Sequence, residues 1–235
     1  MPPAPGDLDE FVRFCAELRC ENSEPLVLYP EQKTMLGDYF DGIRETLILV
    51  SKKQGKSTLL GALALYHLAL VPDAECVIVA ASRDQAAIML RQAHGLIHRS
   101  PLLQQMMRTK QREVVSLTDQ GRVRVLASDV DTADGVLPTL GLVDELHRHK
   151  TADLYGVLRD GLGPRNGQLV TISTAGSTEA SPLGTLRDAA YQLPTFRRVG
   201  SYRHARSGVF VMHEWALDAD QDVDDLELVK SVVCV

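Results

Sequence analysis

Leu47-Ile-Leu-Val-Ser-Lys-Lys-Gln-Gly-Lys-Ser-Thr58 joins an unbroken apolar run to a polar loop that closes on Gly55-Lys56-Ser57. An apolar run of strand length without alternation reads as a strand buried on both faces, the habit of parallel sheets. Ser57 to Leu70 has helical character and closes before Pro72. A buried strand, a tight loop and a helix opening on Gly-Lys-Ser together make a phosphate cradle. The first amides of a helix point outward, and the helix dipole favours an anion there. Gly55 lets the backbone approach a phosphate, Lys56 reaches the β- and γ-phosphates, and the Ser57 hydroxyl suits Mg²⁺. Gln54 and Thr58 belong to the same nucleotide-binding stretch. The pattern GxxxxGK[ST] asks for glycine at position 50, where this chain has Val50.

Working outward, a rhythm of buried strands and helices appears. Cys76 to Ala80, Leu140 to Val143 and Leu169 to Ser173 read as strands, with Thr46 to Val50 as the first. Asp84 to His98, Ala152 to Arg159 and Pro182 to Gln192 read as helices between or after them. Glu113 to Leu117 and Arg122 to Leu126 flank Asp119-Gln-Gly121 as a hairpin. Upstream, 9–19 suits a short amphipathic helix after a frayed arm over 1–9. Leu26 to Tyr29 is extended, and Glu31 to Phe40 is helical behind Pro30. Downstream, Gly208 to His213 reads as a strand. The class is α/β: a mostly parallel sheet flanked by helices.

Two strand ends carry chemistry. Thr139-Leu-Gly-Leu-Val-Asp-Glu145 is an apolar strand ending in two carboxylates. Asp144 is the candidate Mg²⁺ ligand, and Glu145 the residue that activates an attacking water, since phosphoryl transfer rests on positioning and charge neutralisation. Leu169-Val-Thr-Ile-Ser-Thr-Ala-Gly-Ser177 ends in hydroxyls. Beside the first strand, Ser173 and Thr174 would face the γ-phosphate. Gln32, ahead of the first long helix, offers a donor and an acceptor that match the N6/N7 edge of adenine. His147 and His149 read as hydrogen-bond partners near the carboxylates rather than metal ligands.

The chain has 235 residues, 45% of them hydrophobic and 24% charged, which excludes a disordered or collagen-like protein. Its net charge of −6 argues against a wide static nucleic-acid face, so DNA contact is expected to be local or transient. Cys15, Cys20, Cys76 and Cys234 show neither CxxC nor zinc-site spacing and read as reduced thiols. No segment approaches the roughly 20 apolar residues of a membrane span, and the Pro-rich, acidic N-terminus is no signal peptide. The acidic stretch from Asp218 to Asp225 reads as a solvated loop.

Together these residues resemble the large terminase subunit of tailed bacteriophages, in the subgroup of phages with the HK97-type capsid. Pro25-Leu-Val-Leu-Tyr-Pro-Glu-Gln32 is similar to that family's adenine motif. Ser51-Lys-Lys-Gln-Gly-Lys-Ser57 looks like its deviant Walker A, which commonly lacks the first glycine, so Val50 fits. Lys52 stands where the family usually has arginine. Ala80-Ala-Ser-Arg-Asp-Gln-Ala86 is a further family block. Asp144-Glu-Leu-His-Arg-His-Lys150 carries the Walker B end, and Thr171-Ile-Ser-Thr-Ala-Gly-Ser177 resembles the motif that couples hydrolysis to DNA movement.

The resemblance implies an additional-strand P-loop ATPase that binds ATP and Mg²⁺ and powers packaging of double-stranded DNA into procapsids. Glu145 and Lys56 would be catalytic. Gln32, Lys52, Gln54, Gly55, Lys56, Ser57, Thr58 and Thr174 would contact nucleotide, and Ser57 and Asp144 would hold the metal. It also implies portal and small terminase partners, a homo-oligomeric ring, and action in the host cytoplasm at the procapsid portal.

Residues 1–25 are the arm and short helix, 26–200 the ATPase domain, and 201–235 its end with the start of a linker. The family's RNase H-type nuclease has no room here, so no DNA cleavage is expected. An Asp134-Gly135 pair replaces the Arg-Gly that often carries a trans-acting arginine, leaving Arg124, Arg148, Arg159 and Arg165 as candidates. A superfamily 2 helicase shares the glutamine, the loop and Asp-Glu, but needs a second RecA-like domain with its arginine motif. A nucleotide-dependent assembly module without turnover is the other alternative.

Overall fold

The structure, a computed structural model, describes residues 6–126, 135–149, 151–174, 181–218, 221 and 224–232. The first part of the expected arm, Asp134, Lys150, residues 175–177, Asp220, Asp222 and Cys234 lie outside the described residues.

Helix α1 (Leu8–Glu17) starts inside the stretch expected to be frayed. Asp7 accepts from the Glu10 amide at 2.7 Å, and the Glu10 carboxylate takes the Asp7 amide in return. This reciprocal cap satisfies donors that a helix start leaves open. Helix α2 (Pro30–Phe40) follows with proline in its first turn. Then come β1 (Glu45–Leu49), α3 (Lys56–Leu70), β2 (Glu75–Ala80), α4 (Arg83–His98), α5 (Pro101–Met106), β3 (Met107–Lys110), β4 (Glu113–Ser116) and β5 (Arg122–Val125). The second half holds β6 (Leu140–Asp144), α6 (Asp153–Gly161), β7 (Gln168–Ser173), α7 (Pro182–Tyr191), β8 (Arg197–Val199), β9 (Tyr202–Ser207), β10 (Phe210–Trp215) and α8 (Leu226–Lys230).

One sheet runs in the order β3-β4-β5-β2-β6-β7-β1-β10-β9-β8. From β5 to β10 every neighbouring pair is parallel, and two antiparallel pairings close each edge. The expected hairpin is β4–β5, extended outward by β3. Strand β7 sits between β1, which feeds the Gly-Lys-Ser loop, and β6, which ends in Asp144. That inserted strand is the additional strand of the P-loop class expected above. It sets Leu49 beside Ser173 and Asp144 beside Ile172.

The parallel strands are buried on both faces, which explains their unalternating sequences. Ile48, Val50, Ile78, Leu142 and Ile172 pack with α1 to α4 on one side. Leu47, Leu49, Val77, Val143 and Leu169 pack with α6 and α7 on the other. Each helical layer therefore holds the sheet, and the ends of β1, β6 and β7, in fixed relation.

Four elements escaped the sequence reading: α5, β3, β8 and β9. Strand β8 (Arg-Arg-Val) is exposed throughout, and β9 spends an inward position on buried Arg203. Neither carries the apolar pattern that marks a strand, as is common at sheet edges. The expected strand 208–213 begins two residues later, because Gly208, at φ 52°, turns the β9–β10 hairpin.

Candidate nucleotide-binding site

Loop 50–55 leaves the C-terminal end of β1 and enters α3 through Gly55, whose φ of 68° is left-handed. Lys53 shares that region at φ 64°. Glycine adopts it without steric cost, so the loop can curl and turn the first amides of α3 outward. Lys56, the first residue of α3, is 8% exposed. Its Nζ donates to the carbonyl oxygens of Ser51 at 3.0 Å and Val50 at 3.5 Å. It also pairs with Glu145 Oε1 at 3.6 Å. Burial pulls its pKa below the usual lysine range, against the opposing pull of Glu145 and Asp144.

The acidic strand end lies opposite. Asp144 is 7% exposed, and burial, with Glu145 next to it, pushes its carboxyl up to about 6; Lys56 offsets part of this. Glu145 leaves the strand with φ 50° and ψ 53°, a conformation uncommon outside glycine. The turn aims its carboxylate across the end of β7. Oε2 accepts from the Thr174 amide at 3.1 Å, from Thr174 Oγ1 at 3.2 Å, and lies 3.1 Å from His147 Nδ1. Burial alone would raise the Glu145 carboxyl; the Thr174 amide, Lys56 and His147 outweigh it and hold it below the usual range.

His147 Nδ1 also lies 3.0 Å from Ser173 Oγ and 3.3 Å from Thr174 Oγ1. His149 Nε2 reaches the Asp144 carbonyl at 3.3 Å. Burial pulls both imidazoles below the usual histidine range, against the opposing pull of Glu145 on His147 and of the Asp144 carbonyl on His149. Both histidines thus hold the acidic turn, as their positions in the sequence suggested.

Two cavities meet at Gly55 and Thr58. One, of about 290 Å³, is lined by residues 52–58, Ile88, Gln92 and Glu145. The other, of about 330 Å³, runs from Gly55 past Gln32 and Tyr29 to the extended segment 24–28. Gln32 is buried between them. Its Oε1 accepts from the Tyr29 amide at 3.1 Å, and its Nε2 donates to the Gln54 carbonyl at 3.2 Å. The glutamine therefore ties the start of α2 to the loop. One amide hydrogen and one lone pair remain for a base.

Lys52, Gln54, Gly55, Lys56, Ser57 and Thr58 all line the smaller cavity with Glu145. Thr58 spends its hydroxyl on Gln92 of α4 at 3.3 Å. Thr174 stands on Glu145 rather than on the loop. The four candidate arginines separate by position. Arg124 pairs with Glu75 at 2.5 Å, Arg159 with Glu45 at 3.0 Å, and Arg165 donates to the Asp73 carbonyl at 2.8 Å. All three partners lie where strands β1 and β2 begin, away from the loop. Arg148 is exposed in the turn just past Glu145.

Sequence reasoning missed Gln92 and Ile88, although Ile88 and Gln92 share a helical face by their spacing. It also missed the Ser51 hydroxyl, which donates to the Val232 carbonyl at 3.2 Å and so joins the loop to the C-terminal segment. No local pattern links residues so far apart.

The donor set suits a divalent cation held against phosphates. Two adjoining carboxylates, Asp144 and Glu145, act on the Lys56 ammonium, and Ser57 lines the same cavity as Glu145.

Comparison with known proteins places the chain in a family. The chain is 26% identical over 178 residues to the large terminase subunit of Enterobacteria phage HK97, covering 71% of this chain and 35% of that protein. It superposes on the crystal structure of the HK97 large terminase with a TM-score of 0.83 at 22% identity, over 96% of this chain and 47% of that one. The large terminase ATPase domain of Thermus phage P74-26 matches with a TM-score of 0.55 at 15% identity, over 72% and 69% of the two chains. The chain thus spans less than half the length of the HK97 protein. The family model described as the ATPase domain of the terminase large subunit matches residues 35–192, from within α2 to just past α7. The chain belongs to the ATPase-domain family of terminase large subunits.

Proposed function

We propose that this domain binds ATP with Mg²⁺, hydrolyses it, and drives double-stranded DNA into procapsids as part of a larger motor. The observation that carries the reading is the pairing of Lys56 with Glu145 in one loop cavity, next to Asp144, with Thr174 at the end of the inserted strand holding Glu145.

In this reading Lys56 leaves the Val50 and Ser51 carbonyls for the β- and γ-phosphates. Ser57 and Asp144 hold Mg²⁺, which neutralises charge on the phosphates. Glu145 orients the attacking water and takes its proton. The Thr174 amide and Lys56, against burial, favour the charged form of its carboxylate, the form that can accept a proton. Gln32 presents its remaining donor and acceptor to the base, with the cavity beside segment 24–28 as its seat. Thr174 makes no direct nucleotide contact here and links Glu145 to the end of β7.

Double-stranded DNA, a portal protein and a small terminase subunit are the proposed partners, with a homo-oligomeric ring as the working form and the procapsid portal as its place. We assign no DNA cleavage to this domain. Asp218 pairs with Arg198 and Arg203. The helicase reading shares the fold, since the UvsW helicase of bacteriophage T4 matches with a TM-score of 0.50 at 16% identity. The family match favours the terminase.

The test is Mg²⁺-dependent phosphate release by the purified chain, beside Lys56→Ala. Slow turnover in the wild type and no ATP binding in the variant is the expected result. ATP binding unchanged in Lys56→Ala would overturn the site.

A further inference from the structure

On the side of the sheet away from the acidic turn, three potential metal ligands converge from distant parts of the chain. His204 on β9 and His213 on β10 are paired directly across the antiparallel ladder, so their side chains share one face. Their ring centroids are 5.2 Å apart. Helix α2 lies over that face and brings Asp38. Its Oδ2 is 3.2 Å from His213 Nε2 and 3.7 Å from His204 Nε2, and the three ligand atoms lie within 4.8 Å of one another. Around tetrahedral zinc, with metal–ligand bonds of about 2.0–2.1 Å, neighbouring ligand atoms stand roughly 3.3–3.4 Å apart.

A second observation points the same way. His213 is 2% exposed, and its Nε2 faces the Asp38 carboxylate at an ion-pair distance of 3.2 Å rather than in a well-aligned hydrogen bond. The other ring nitrogen, Nδ1, lies 2.8 Å from the Tyr202 hydroxyl. With Nδ1–H donating to Tyr202, the Nε2 lone pair is directed into the Asp38–His204 gap. A partner on one imidazole nitrogen that fixes the tautomer for metal binding at the other is the usual support of a histidine ligand. Asp38 Oδ1 accepts from Arg206 Nη1 at 2.8 Å, which orients the carboxylate and leaves Oδ2 for the histidines. Arg206 is 41% exposed, so solvent screens its charge.

We propose that Asp38, His204 and His213 form a zinc site that fastens α2 to the β9–β10 hairpin, with solvent in the fourth position. Two histidines and a carboxylate suit Zn²⁺ among available divalent ions. Gln32, in the first turn of helix α2, donates to the Gln54 carbonyl of the nucleotide loop, so the site ties the outer part of the sheet to that loop. No spacing motif marks it in the sequence, because its ligands come from residues 38, 204 and 213.

The test equilibrates the whole chain with excess zinc, removes free metal by gel filtration, and measures bound zinc, then repeats the binding with cobalt(II). Expected is about one zinc per chain, with cobalt giving the visible absorption of a tetrahedral site carrying nitrogen ligands. His204→Gln and Asp38→Asn should lose the metal and the spectrum, while His147→Gln should keep both. His204 is partly exposed, so its replacement leaves the fold intact. Wild-type protein that retains no zinc, or His204→Gln protein that retains as much as the wild type, overturns the proposal.

Discussion

Thr174 gives both of its hydrogen-bond donors to one oxygen of Glu145, its amide at 3.1 Å and its hydroxyl at 3.2 Å. The end of the inserted strand and the proposed base are thereby one unit. Any displacement of β7 moves the carboxylate, and any change in the carboxylate's partners is felt at Thr174.

Thr174→Val keeps the shape and the amide but removes the hydroxyl. A hydrogen bond to a charged group is worth about 1.5–3 kcal/mol, so kcat should fall roughly tenfold to a hundredfold. ATP affinity should stay within a few-fold of wild type, and Thr174→Ser should recover most of the loss. A fall in affinity with kcat unchanged would place Thr174 on the nucleotide instead of on Glu145.

Burial of the Asp144 carboxylate costs stability. Its folded pKa of about 6 lies above the ordinary value of 3.8. The native state therefore binds more protons than the unfolded chain between those two values, and this residue lowers stability as pH rises through that window. The penalty is complete above pH 6 and amounts to roughly 3 kcal/mol at most, from a shift of about two units. Asp144→Asn should stabilise the metal-free domain at pH 7.5 in urea titration, with the gain shrinking as pH falls from 6 towards 4. The same variant should lose Mg²⁺-dependent nucleotide affinity. A variant less stable than wild type at pH 7.5 would contradict the burial argument.

Of the four candidate arginines, Arg148 is the one proposed to reach a neighbouring subunit, since Arg124, Arg159 and Arg165 are held where the strands begin. A trans-acting arginine contributes about 10³–10⁵ in rate in other P-loop enzymes. Turnover should rise with protein concentration in the wild type, and Arg148→Ala should abolish that rise without changing ATP affinity. Arg159→Ala and Arg165→Ala should retain it. Loss of the rise in one of those two, and not in Arg148→Ala, would move the finger elsewhere.

Much of the fold was legible because its central strands are buried on both faces and write that burial as unbroken apolar runs, as in Thr46 to Val50 and Cys76 to Ala80. The loop was legible because Gly55, Lys56 and Ser57 are adjacent in sequence and act together. Glu145 and Thr174 could each be named from their strand ends, but their direct bond depends on β7 lying next to β6, which only the sheet order shows. Gln32 was found, but not its use in bracing the loop through Gln54, a contact across 22 positions. The outer hairpin stayed hidden because β9 buries Arg203, which finds Glu214 and Asp218 as partners. A buried, ion-paired arginine looks like surface in a sequence.

The central claim is that Glu145 activates water in a site whose nucleotide affinity comes from the loop. Glu145→Gln is nearly isosteric, and its amide cannot take a proton. Phosphate release in a single turnover, measured beside ATP binding on the same protein, tests the claim directly. Binding within a few-fold of wild type, with phosphate release slower by about 10²–10⁴, is the predicted result. Wild-type phosphate release from Glu145→Gln, with binding intact, would contradict it.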